Sequence, residues 1–274
     1  MNTLTIARKE IESYFRSPIA YGVMAFFALI AGYFFYFSVR FFVTRGMEMA
    51  MMGQSQPMDL SEYVIRPLLS NISVIGLFLI PMITMRLFAE EKRSGTIELL
   101  LTSPLRDVEI LVGKFLGAMT LYTVMLGISL LSMLLLFYFG KPDWRPLLVG
   151  YLGLLLQGAA LLAIGTFISN CTKNQIVAGV AGFAVCLMLW ILNWATEFGV
   201  TAPQRSGSDS VLGYWWSMLW YWAERVLSYL AVTTHFDSFG KGVIDLKDIV
   251  YYLSVIFVGL FLTARSMEAL RWRA

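Results

Sequence analysis

Six apolar runs, at about residues 18–42, 67–88, 108–139, 147–168, 175–195 and 249–265, limit what this chain can fold into. A bilayer core about 30 Å thick is crossed by about 20 apolar residues in a helix, which satisfies its own backbone N–H and C=O groups. The runs are continuous rather than alternating. They therefore predict an all-α integral membrane protein with six transmembrane helices, folded as one transmembrane domain over residues 1–274. A composition that is 58% hydrophobic, with a mean hydropathy of +0.69, excludes an ordinary soluble domain. The first run is too long for a signal-peptide core and no small-residue cleavage site follows it, so it is expected to stay as an anchor.

Six spans put both termini on one side, and the basic residues decide which. With the termini inside, the inner segments hold twelve Lys and Arg residues. The short outer segments hold five, and four more lie in the long 196–248 segment, where they count for little. Both termini are thus expected in the cytoplasm, with the chain in the inner (cytoplasmic) membrane. The net charge of +3 is small, and the basic residues sit at helix ends rather than in a groove-sized patch, so no nucleic-acid partner is expected.

Residues 1–17 read as an amphipathic helix in the membrane interface, with Leu4, Ala7, Ile11 and Phe15 on its apolar face and Arg8, Lys9, Glu12 and Arg16 opposite. Pro81 lies inside the second run and is expected to kink it. Gly113 and Gly117 open the third run with the spacing that admits a close helix neighbour. Only a tight turn, 169–174, separates the fourth and fifth runs. In the outer segment 196–248, the aromatic stretch Tyr214 to Trp222 reads as a re-entrant or interface-lying helix. Its Trp215, Trp216, Trp220 and Trp222 are the residue types that anchor at headgroup level. Stacking on a ligand such as a sugar is the alternative for these rings.

Between the second and third runs lies a polar connector, residues 89–107, in which Gly95 ends one helical piece, Thr96 can cap another, and Ser103-Pro104 reads as the opening of the next span. The run Glu90-Glu91-Lys92-Arg93-Ser94-Gly95-Thr96-Ile97-Glu98-Leu99-Leu100-Leu101-Thr102-Ser103-Pro104, followed by Glu109 and Gly113-Lys114, resembles the signature of ABC-2 type permeases, the membrane subunits of ATP-binding-cassette transporters. Two stretches in the C-terminal part, His235-Phe-Asp-Ser-Phe and Gly242-Val-Ile-Asp245, resemble the gliding-motility-type branch of that class. The resemblance implies the ABC-2 (type V exporter-like) permease fold, with an interfacial N-terminal helix and a coupling region at 89–107. It implies docking on a cytoplasmic ATP-binding subunit through Glu91, Gly95, Thr96, Glu98, Leu99, Leu100 and Pro104. A second permease copy or a paralogue would complete the translocation path, and an extracytoplasmic auxiliary protein is a further candidate partner.

Chemistry on the chain itself is sparse. No phosphate loop, no His-Glu-x-x-His and no Gly-x-Ser-x-Gly occurs, so no catalytic residues and no cofactor are expected, and ATP-Mg would be held by the partner subunit. Cys171 and Cys186 have neither disulfide-framework nor metal spacing, and His235 is the single histidine. The cluster Met47, Met49, Met51, Met52 suits adaptable packing, with soft-metal binding as its alternative. The spans are expected to carry essentially no ionisable group, which argues against ion-driven transport. Gln157 and Asn193 remain as polar candidates for lining a path or for hydrogen bonding between helices. Two functions stay open: a permease subunit of an exporter, and a non-transporting scaffold or receptor component that anchors a cytoplasmic ATPase.

Overall fold

In a computed structural model of the chain, residues 2–53, 59–97, 105–140, 142–197 and 211–271 are described. Among them the regular structure is helical, and six helices are long and apolar enough to cross a membrane. In order these elements are α1 (Asn2–Arg16), α2 (Pro18–Met51), α3 (Arg66–Thr84, preceded by a π-helical turn at Ser61–Ile65), α4 (Ala89–Ser94) and α5 (Asp107–Phe139). They continue with α6 (Trp144–Cys171), α7 (Gln175–Glu197), α8 (Val211–Leu230), α9 (Phe236–Gly240) and α10 (Leu246–Arg271).

The second span is the centre of the bundle. In the stretch containing it, 72% of the most apolar window is buried, against 17% for the fifth span. α3 packs on α2, α6 and α7, while α10 lies along α6 and α1 lies along α5. Small residues set these distances. A Cβ on Gly259 of α10 would stand 3.0 Å from the Ala163 Cβ of α6, so the two backbones nearly touch. Isolated apolar faces on α2, α7 and α10 remain outward, as lipid-facing surfaces do.

The C-terminal part is pinned by a polar cluster. Both ring nitrogens of His235 face acceptors: Nδ1 lies 2.7 Å from Asp248 Oδ1 and Nε2 lies 3.0 Å from the Tyr229 carbonyl. The ring stacks on Tyr251 at 3.9 Å, and the Tyr252 hydroxyl donates to the Val232 carbonyl at 2.8 Å. These contacts hold α9 against α6, where a Cβ on Gly153 would stand 2.5 Å from the Phe239 Cβ. α8 is a full 20-residue helix packed on α7, longer than the aromatic stretch that suggested it. Trp215, Trp220 and Trp222 project outward on it, and the Trp216 side chain lies outside the described residues.

Several boundaries differ from expectation. α2 runs on to Met51, so Met47 and Met51 are exposed on its last turns. α6 continues through Ser169 and Asn170, which belong to the helix rather than to the turn. The third span begins at Asp107, with Leu105 and Arg106 not helical, so a helix opened at Ser103-Pro104 does not run directly into it. Glu109 fixes that start by accepting the Arg106 backbone N–H at 3.1 Å.

A candidate coupling site at one end of the bundle

The second span does not stop at its proline. α3 continues three residues past Pro81, and the chain then leaves the helix at Met85–Phe88 before re-entering it as α4. Such a break strands backbone groups in a buried setting, where an unpaired N–H or C=O is costly. One side chain satisfies it. Ser169 Oγ accepts from the Phe88 and Ala89 backbone N–H groups at 3.2 Å each and lies 3.3 Å from the Met85 carbonyl, to which it donates. Lys92 Nζ donates to the neighbouring Asn170 carbonyl, and Asn170 Nδ2 donates to the Thr263 carbonyl of α10 at 3.5 Å. The end of α6 thus holds the break from below and ties it to the last span. Ser169→Ala should cost roughly 1–3 kcal/mol, because its partners stay buried without replacements. Thermal unfolding in detergent measures that loss, and faster amide exchange at Phe88 and Ala89 assigns it to the break.

α4 ends where Gly95 takes φ +74°, a left-handed conformation that suits glycine. Thr96 caps backward: its hydroxyl lies 2.8 Å from that of Ser94, and both hydroxyls reach the Glu91 carbonyl, at 3.5 and 3.2 Å. Glu98, Leu99, Leu100 and Pro104 lie outside the described residues.

On the other side of α4, Glu91 enters an ionic triad. Lys114 Nζ of α5 lies 2.8 Å from Glu91 Oε1 and 2.8 Å from Glu10 Oε1 of α1. The Lys114 side chain is only 3% exposed, and its ammonium sits 5.3 Å from the centre of the Phe88 ring. The charge lies near the start of the third span, where the sequence placed it among the cytoplasmic-side charges, yet it is buried. Lys114 had the look of a boundary charge, but α1 covers it and supplies a carboxylate. A buried ammonium needs such pairing, since desolvation alone would cost several kcal/mol.

α1 reaches Lys114 because of the two glycines. A Cβ on Gly113 would stand 2.7 Å from Ile6 Cγ2, and one on Gly117 would stand 2.6 Å from the Glu10 Cβ. The close neighbour that this spacing admits is therefore α1 rather than another span. The face that α1 turns to the bundle carries Ile6, Ala7, Glu10 and Tyr14, rotated from the expected apolar face, and Leu4 is left exposed. The Tyr14 hydroxyl donates to the Ile83 carbonyl at 3.4 Å. Burial, reinforced by nearby Glu10, holds that phenol above its ordinary pKa range, so it remains a neutral donor. Arg86 of the break donates to Ser17 Oγ, between α1 and α2, at 3.0 Å.

Gln157 is buried on α6 and accepts from the Ser73 hydroxyl of α3 at 2.7 Å, a bond between two helices of one bundle. Asn193 lies on α7, and its side chain is outside the described residues. Sequence reasoning missed Glu10, Ser169 and the burial of Lys114. Glu10 had a signal in its Ala7–Glu10–Tyr14 stripe; Ser169 had none, because a serine near a helix end looks like turn chemistry.

The described chain is thus a multi-pass helical membrane protein in which a broken second span, an amphipathic N-terminal helix and the start of the third span share one ionic centre. A family model described as ABC-2 family transporter protein matches residues 4–207, and the chain belongs to that family. It is a membrane transport component, not itself catalytic. The stretches at His235 and Gly242 lie beyond the matched span. No curated protein matches the chain.

Proposed function

We propose that this chain is the permease subunit of an ATP-binding-cassette exporter in the cytoplasmic membrane. Two copies, or one copy and a paralogue, form the translocation path, and a separate cytoplasmic subunit binds and hydrolyses ATP-Mg. The connector 89–107 docks on that subunit, with Glu98 offering charge and Leu99 and Leu100 filling its cleft. The observation that carries this reading is the tie from Glu91 on α4 through Lys114 on α5 to Glu10 on α1. A displacement of α4 is delivered at once to the third span and the N-terminal helix, while Ser169 passes it to α6. A connector that only closed a hairpin would need no such linkage.

Co-purification with an ATP-binding subunit encoded beside it tests the docking. A stable complex is expected from the native chain, and Leu99→Asp or Glu98→Arg should abolish it. A complex that survives both changes places the docking surface elsewhere. In reconstituted membranes, a transported substrate should stimulate the partner's ATPase; docking without any such stimulation would support the scaffold instead.

A further inference from the structure

At the end of the bundle away from the ionic triad, a cavity of about 390 Å³ opens between the start of α3 and α9. Glu62, Tyr63, Arg66, Ser70, Phe236 and Asp237 line it. The volume is that of a small-ligand site. Among the described residues, none of the three charged side chains makes an ion pair or a hydrogen bond. Exposed acid–base pairs three or four apart do close on the α-helices, at Arg8–Glu12, Arg45–Glu48 and Arg265–Glu268.

The missing pair has a backbone cause. Glu62 and Arg66 stand four apart with the acid first, the arrangement that pairs best on an α-helix. Ser61–Ile65 is π-helical, and the wider turn takes positions four apart out of register. Glu62 and Arg66 are thereby held on the wall of one cavity without closing on each other. Asp237 arrives from α9, which the wedge of Phe239 against Gly153 and the His235–Asp248 pair keep in place. The cavity wall therefore carries one cation and two carboxylates that do not pair with one another, with the rings of Tyr63 and Phe236 among its lining.

We infer that this cavity binds a zwitterion carrying a phosphate and an ammonium group, the chemistry of a phosphoethanolamine headgroup. The phosphate pairs with the Arg66 guanidinium and the Ser70 hydroxyl. The ammonium sits among Glu62, Asp237 and the aromatic faces, which attract cations. Pro67, on the same wall, begins the apolar second span, so the cavity stands at headgroup depth. Its assignment to the outer leaflet rests on the permease orientation; the binding chemistry does not.

The test uses the purified full-length chain in detergent micelles, followed by isothermal titration, and needs no ATPase partner. Three probes are compared: a short-chain phosphatidylethanolamine, the matching phosphatidylglycerol, and free phosphoethanolamine. Saturable binding of the phosphatidylethanolamine is expected, with little binding of phosphatidylglycerol. Arg66→Gln and the exposed Glu62→Gln should each weaken it by about tenfold, the effect of losing one charge-assisted bond. Free phosphoethanolamine that binds as tightly as the lipid would support the zwitterion site and assign it to a soluble ligand. Equal binding of phosphatidylglycerol, or unchanged binding in both variants, overturns the inference and leaves the permease reading untouched.

Discussion

Lys114→Ala is expected to be the most damaging single substitution at the α1–α4–α5 end of the bundle. It removes the one cation that stands 2.8 Å from both Glu10 and Glu91 and leaves two largely buried carboxylates facing each other. Breaking a buried pair from one side costs about 3–5 kcal/mol, because the abandoned charge stays desolvated. Here two are abandoned. Unfolding in detergent reads the loss directly. The neutral triple variant Glu10→Gln, Lys114→Met, Glu91→Gln should recover most of that stability, since replacing a whole buried ionic group by matched neutral side chains is often close to neutral. On the proposed permease reading, it should not recover substrate-stimulated ATPase activity with the partner subunit, because the Glu91–Lys114 link between α4 and α5 is then gone. A triple variant with full coupling would show that the ionic tie serves stability and nothing else.

Gly113→Val together with Gly117→Val is expected to lift α1 off α5 without touching a charge. The new Cβ atoms alone would stand 2.7 Å from Ile6, 3.0 Å from the Thr3 carbonyl and 2.6 Å from Glu10. Overpacking of this kind costs about 1–3 kcal/mol per site, and here the cheapest relief is outward movement of α1, which has the bundle on one side only. That movement carries Glu10 away from Lys114. A cysteine introduced as Ala7→Cys, in a chain with Cys171 and Cys186 replaced by serine, reports it, since Ala7 is buried against α5. Labelling by a membrane-impermeant maleimide should accelerate severalfold. Unchanged labelling would mean that α5 yields instead, and that α1 is the more firmly seated of the two.

Both results depend on a distinction between what chain order reveals and what packing reveals. The continuous apolar runs made the six spans legible, because a bilayer accepts nothing else of that length and composition. Gly95 was legible as a helix end, since a left-handed φ is what glycine supplies cheaply. The resemblance made the family legible, while the docking role of the connector stays a proposal, and Glu98, Leu99, Leu100 and Pro104 lie outside the described residues. Pro81 was legible as a helix-disturbing residue, but not the place where the backbone leaves the helix, Met85–Phe88, nor that Ser169 receives it there.

By itself, then, the sequence determined that this chain is a six-span helical membrane protein with a polar, glycine-broken connector after its second span. Hydropathy and local backbone preference are properties of neighbouring residues, so they survive in one dimension. The tertiary structure alone decided that Glu10, Glu91 and Lys114 meet, that Gly113 and Gly117 admit α1, and that Arg66 faces a cavity without its carboxylate partner. Each of those depends on residues far apart in the chain, or on a turn widened by one residue, and no periodicity records which distant side chain arrives to neutralise a buried charge.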